Sequence, residues 1–172
     1  GYLDGLDDLQ GLAGRFQSAE PIVDAGAEET RAKRIGDFEI VREIGRGGMG
    51  DVYRGRDIQT NEAVAIKLLH QDIVRDNPSI VDRFEREGEM LRRLDHPSIV
   101  NLLATVEEEG RHYLIMEYVG GGSLRDLLDK QERLPVSRVL NIALDLADAL
   151  TRAHRLNIIH RDIKPDNVLL AE

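Results

Sequence analysis

The chain contains no cysteine, so neither a disulfide framework nor a thiolate metal site can hold it. That composition suits a reducing, cytoplasmic setting. Histidine is sparse, and His70, His96, His112, His154 and His160 form no His/Asp/Glu cluster at metal-ligand spacing, so no zinc site is read. No apolar run reaches the length of a bilayer span, and the N-terminus lacks a charged-then-apolar signal pattern. An anchor outside these residues stays open. Basic residues are in deficit: 23 Lys and Arg stand against 32 Asp and Glu, a net charge of −9. Bulk charge therefore argues against a nucleic-acid or anionic-membrane partner. It leaves room for a local basic pocket that takes a phosphate.

What is present is an ordinary globular balance, 41% hydrophobic and 32% charged over 172 residues, enough for one domain or two small lobes. No internal repeat is visible. Residues 1–36 differ in texture from the rest. Leu3, Leu6, Leu9, Leu12 and Phe16 recur at roughly helical spacing, and a small, polar, mixed-charge stretch follows. This segment reads as a leader or linker; the rival reading is a segment that docks on the domain or on a partner. From Asp37 the pattern predicts a strand over FEIVREI, a glycine loop over GRGGMG, a short extended DVYRGRD, a turn, and a strand over AVAIKLL. A helix is expected over 79–94, with Ser79 as its N-cap. Two strands joined at Glu109-Gly110 follow, then a glycine hinge and a short helix. A long helix opens at Pro135 and runs over 136–156, with Val139, Leu140, Ala143, Leu146, Ala147 and Leu150 as its buried face.

Gly45-x-Gly47-x-x-Gly50 is weak by itself, because both dinucleotide folds and kinase loops use it. Glycines let a backbone approach a phosphate and aim N–H groups at it. A dinucleotide loop should run into a helix, and here a strand follows. No Gly-Lys-Ser/Thr sequence occurs, which excludes a P-loop. A plain hairpin turn seldom needs four glycines in six residues. Ala63, Ala65 and Lys67 share one strand face, leaving room for a flat ligand beside a cation. A snorkelling edge lysine would look similar. The helix weighs against that: Ile80, Phe84, Glu87, Leu91 and Leu94 fall at steps of four and three, so Glu87 stands on the apolar stripe. An inward carboxylate is costly unless paired, and Lys67 is the best candidate partner. Gly88, inside the same helix, marks either close packing or a helix that moves easily.

The stretch HRDIKPDNVLLAE, His160 to Glu172, gathers six ionisable residues in thirteen. Its residue types meet the needs of phosphoryl transfer. Asp162 can orient a hydroxyl and accept its proton, Lys164 can steady a moving phosphoryl group, and Asn167 can give magnesium a hard oxygen. Pro165 makes the stretch a loop. A charged surface loop is the plainer alternative for such a pattern taken alone.

Together these motifs resemble the eukaryotic-like (Hanks-type) Ser/Thr protein kinases common in bacteria. GRGGMGDVY is similar to their glycine loop, VAIK at 64–67 to the third-strand lysine motif, and HRDIKPDN at 160–167 to the catalytic loop. RFEREGEMLRRLDHPSIV at 83–100 resembles the helix that supplies the paired glutamate, and IMEYVGGGSL at 115–124 the hinge. The resemblance covers about residues 37–172. It implies an α+β fold: a five-stranded antiparallel N-lobe with one helix over 37–119, and over 120–172 the first part of a helical C-lobe. It implies ATP and Mg2+ as ligands and a protein with a Ser or Thr acceptor as partner. Gly45, Gly47 and Gly50 would cover the phosphates. Lys67 would hold the α- and β-phosphates, paired with Glu87. Met116 would be the gatekeeper, and backbone groups of Glu117 and Val119 would bond adenine. Ile44, Val52, Ala65 and Leu169 would sandwich the ring. Asp162 would be the catalytic base, Lys164 a phosphate contact and Asn167 a metal ligand. Arg161 implies control by phosphorylation of an activation loop. Ser123 departs from the pattern, standing where many members place an acidic residue on the ribose. Neither Asp-Phe-Gly nor Ala-Pro-Glu occurs in the chain. The expectation is the front part of a longer kinase, inactive or nearly so in transfer alone, with an apolar face of the 136–156 helix left open. A pseudokinase or nucleotide-binding scaffold is the alternative, and a small-molecule kinase a further one.

Overall fold

The computed structural model describes Arg15, Phe16 and residues 33–171, apart from Met49, Pro78 and Arg161; for Arg15, Phe16, Arg83 and Glu87 it describes the backbone alone. The amphipathic helix that the spacing of Leu3, Leu6, Leu9, Leu12 and Phe16 suggests lies outside the described residues except at its end, where Phe16 stands in a strand instead. In chain order the strands are β1 (Arg15–Phe16), β2 (Arg34–Ile35), β3 (Phe38–Arg46), β4 (Gly50–Asp57), β5 (Ala63–Leu69), β6 (Leu102–Glu108) and β7 (Arg111–Glu117). The helices are α1 (Gln71–Asp76), α2 (Ser79–Arg93), α3 (Leu124–Lys130) and α4 (Val136–Arg155). A 3₁₀ turn, Pro165–Asn167, follows α4 near the end of the described residues.

The five long strands expected from the sequence form one antiparallel sheet in the order β3-β4-β5-β7-β6. Two short strands lengthen it. The β1 strand pairs with the glycine end of β3, and β2 with its start. The fold therefore begins ahead of Asp37: Ile35 is 1% exposed and packs with Val64, Ile66, Tyr113 and Ile115. Texture hid this, because Ile35 is a lone apolar residue between Arg34 and Gly36. The short helix α1 was also unanticipated. Glu109 and Gly110 both have positive φ (52° and 69°), the two-residue turn that matches strand twist in a β6–β7 hairpin.

Alternation along β5 splits the sheet into two faces. Val64 and Ile66 belong to the cluster around Ile35. Ala65 joins Ile44, Val52, Leu91 and Met116 on the other face. The α2 helix lies on that second face, its Ile80 and Phe84 packed with Leu69 and Leu114. The stripe Ile80, Phe84, Leu91 and Leu94 is buried as its spacing predicts. Ser79 is the first helical residue, its hydroxyl donating to Asn77 Oδ1 at 2.6 Å. Gly88 is a close-packing residue: a Cβ there would stand 3.1 Å from Leu114 Cδ2 and 3.3 Å from Leu102 Cδ2 and Thr105 Cγ2.

The lower part is thin. Leu94 packs with Ala153 and Ile158, and His96 Nε2 lies 3.1 Å from Asp148 Oδ2, so the α2 side grips α4. The buried face of α4 differs from the sequence reading. Ala149 and Ala153 are its buried residues, whereas Val139, Leu140, Ala143 and Ala147 are exposed and Leu146 and Leu150 half-buried. Small residues face the contact with Leu94, and the bulky stripe, with Leu140 56% and Leu144 67% exposed, is the open apolar face that the resemblance implied.

Candidate active site

The roof of the site is the β3–β4 hairpin. The pairing of β3 with β4 shifts register between Glu43 and Gly45, and Gly47 N donates to Gly50 O at 2.9 Å. Gly50 is required by contact: a Cβ would fall 2.1 Å from the backbone oxygen of Leu68. Behind the roof, register sets the wall. Val52 is opposite Lys67, and Ala65 is opposite Met116. Directly opposed residues share a sheet face, so one surface carries Val52, Ala65, Lys67 and Met116. Ile44 belongs to the same cluster.

Lys67 is the charged residue of this wall and is only 2% exposed. Its ammonium lies 5.7 Å from the centre of the Phe84 ring, within cation–π reach. Glu87 follows Phe84 by three and precedes Leu91 by four on α2, the stripe that meets the sheet. Its side chain, and with it the proposed pairing, lies outside the described residues.

At the link, Glu117 commits its N–H to Asn101 O at 2.9 Å, and its carboxylate accepts from Asn101 N and Nδ2 at 3.3 and 3.2 Å. Val119 is half-buried. Leu169 forms a bridge with Ser123, flanked by Leu124 N to Val168 O at 2.7 Å and Leu170 N to Gly122 O at 2.9 Å. These bonds anchor the end of the reactive loop to the glycine link. Ser123 is buried and caps α3: its Oγ donates to Asp126 Oδ2 at 2.8 Å and accepts from Asp126 N at 3.1 Å. The departing serine is thus committed to a capping box. Asp126 was not singled out from the sequence, although Ser-x-x-Asp before an apolar pair was the available signal.

The floor is one hydrogen-bonded group. Lys164 Nζ is 2.8 Å from Asp162 Oδ2, and Asn167 Nδ2 donates to Asp162 Oδ2 at 3.0 Å and to its carbonyl at 2.6 Å. The Lys164 hydrogen bond is the largest influence on the Asp162 carboxyl and holds it below its ordinary range; burial opposes it, and the Asn167 hydrogen bond adds a smaller downward push. Asp162 N donates to His160 Nδ1 at 3.3 Å, and burial holds the His160 pKa below its usual value. That imidazole is neutral at pH 7, with Nδ1 as acceptor. Asp166 lies 3.9 Å from Arg125 on α3. Arg161 lies outside the described residues.

Asn167 Oδ1 is buried and accepts no hydrogen bond among the described residues. An orphaned buried oxygen is costly, and a hard oxygen of this kind suits Mg2+. The residues present therefore fit a divalent cation at Asn167, beside the Asp162 carboxylate.

The structure thus holds a glycine-rich turn, a buried lysine on an apolar sheet face and a hydrogen-bonded Asp-Lys-Asn loop. Residues 38–172 match the family described as "Protein kinase domain", and the chain belongs to that family, in its bacterial Hanks-type branch. It is 42% identical over 139 residues to the serine/threonine-protein kinase PrkC of Bacillus subtilis, covering 80% of this chain and 21% of that protein. It is 39% identical over 138 residues to the serine/threonine-protein kinase PknB of Mycobacterium leprae, covering 78% and 22%. With the serine/threonine-protein kinase pkn2 of Myxococcus xanthus it shares 38% over 137 residues, covering 80% and 16%. The chain spans about a fifth of the length of the curated relatives it matches.

Proposed function

We propose that the chain forms the ATP site and catalytic loop of a protein Ser/Thr kinase. What supports this reading is the hydrogen-bonded Asp162–Lys164–Asn167 group in a chain whose sheet also carries the buried Lys67. In this reading Ile44, Val52, Ala65 and Leu169 enclose the adenine, Met116 closes the rear, and Val119 together with the carbonyl of Glu117 meets its polar edge. The N–H groups of the glycine turn and Lys67 hold phosphate oxygens. Glu87 holds Lys67 in place. The acceptor hydroxyl oxygen forms a bond to the γ-phosphorus as the bond to the ADP oxygen breaks. Asp162, ionised but a weak base, orients that hydroxyl and takes its proton, while Lys164 stays beside the transferred group. Bound at Asn167, Mg2+ would supply charge neutralisation on the phosphates.

No Asp-Phe-Gly sequence occurs among these residues, so the metal set present is sparse. We expect the 172-residue chain to bind Mg-ATP yet transfer slowly, and labelled phosphate appearing readily in protein acceptors would contradict that. A nucleotide-binding scaffold would share the binding and lack the transfer altogether. No described helix is long and apolar enough to cross a membrane.

Calorimetric titration with Mg-ATP tests the binding half directly. The chain should bind, and Lys67→Met should weaken affinity about tenfold, the loss of one charge-assisted contact of about 1.4 kcal/mol. Equal affinity in both proteins would remove Lys67 from the site.

A further inference from the structure

The glycine end of β3 is not a free edge. In β1, Arg15 pairs with Arg46 and Phe16 with Gly45, antiparallel to the strand that forms the roof. The same short strand comes within contact distance of the turn Pro165–Asn167 in the floor. One element of the leader therefore touches both sides of the mouth of the nucleotide site. An unpaired strand edge is a template for another strand, and β-addition gives backbone hydrogen bonds without demands on side chains. The occupant is the chain's own leader on grounds of reach. Between Phe16 and Arg34 the backbone can extend about 60 Å, while β3 is about 30 Å long, so the chain is long enough to bring β1 to the glycine end.

We infer that β1 is an autoinhibitory strap: it extends the roof sheet, lies by the catalytic turn, and must leave for nucleotide and acceptor to enter. This rests on the nucleotide-site reading above. A strap engaged about nine-tenths of the time lowers apparent affinity about tenfold, because only the open fraction binds.

The test uses the full chain and its lack of cysteine. Directly opposed residues in an antiparallel pair lie about 4.5–5.5 Å apart, within disulfide range. The variant Arg15→Cys/Arg46→Cys should therefore close an intramolecular disulfide on mild oxidation. It should do so faster than Arg15→Cys/Gln59→Cys, whose second site is on the far β4–β5 turn. The oxidised form should bind Mg-ATP at least about tenfold more weakly than the reduced form. Phe16→Pro, which removes a ladder donor, should bind more tightly than the parent chain. It should also speed amide hydrogen exchange at Gly45 and Arg46 with no nucleotide present. Closure no faster than in the control pair, disulfide-linked dimers in place of an internal bond, or equal ATP affinity in the oxidised and reduced forms would each overturn the strap. If the disulfide and the exchange behave as expected but neither form binds ATP, the nucleotide reading fails, and the inhibitory role with it.

Discussion

At the scale of single residues, the floor is an electrostatic unit. Asp162 is held ionised by two donors, and one of them is the lysine proposed to attend the phosphoryl group. Lys164→Met should raise the Asp162 pKa toward its ordinary value of 3.8, because the largest cause of its depression is removed. A carboxyl NMR titration reads this, and an unmoved midpoint would show that Lys164 does not govern the carboxylate. His160 supplies a second pH effect of known sign. Its folded pKa is lowered by burial, so the unfolded chain takes up protons first as pH falls below about 6.5. Stability should therefore decline from pH 7.5 to 5.5, and His160→Gln should flatten that decline in urea midpoints. The sequence named Asp162, Lys164 and Asn167 because their chemistry sits in one contiguous loop. The Ser123 cap was legible only as the Ser-x-x-Asp spacing to Asp126, and its burial appears only once Asp126 folds back onto it.

At the scale of elements, alternation and helical spacing located the strands and the α2 stripe with little help from tertiary context. Lys67, Ala65 and Val52 share a face because strands alternate and register aligns them. Two features escaped. The short strands β1 and β2 owe their existence to the open edge of β3, and two residues carry no periodicity of their own. The buried side of α4 is chosen by Leu94 and Ile158, so two alanines face inward while the leucines do not. Gly88 tests the α2 packing. Alanine gains about 1 kcal/mol of helix propensity, but overpacking against Leu114, Leu102 and Thr105 costs about 1–3 kcal/mol. Gly88→Ala should lower the denaturation midpoint; a rise would mean that α2 has slack against the sheet.

At the scale of the whole molecule, the upper part has three of the four buried clusters and the lower part hangs on the fourth. The exposed stripe of α4, Val136, Val139, Leu140 and Leu144, is apolar surface of the kind that associates. The chain should self-associate with rising concentration, and Leu140→Glu/Leu144→Glu should shift sedimentation toward monomer. Such surface changes should alter stability by only about 0.5 kcal/mol each. Unchanged association in the double variant would place the sticky surface elsewhere. The central claim is that the second face of the sheet and the Asp162–Asn167 loop form one nucleotide site. Hydrogen exchange of the full chain with and without Mg-ATP addresses it most directly. The account predicts slowed exchange at Gly47–Gly50, around Lys67, at Glu117–Val119 and in the loop through Leu169, with β6 and the exposed side of α4 unchanged. Protection confined to one side, or none at saturating nucleotide, would contradict it.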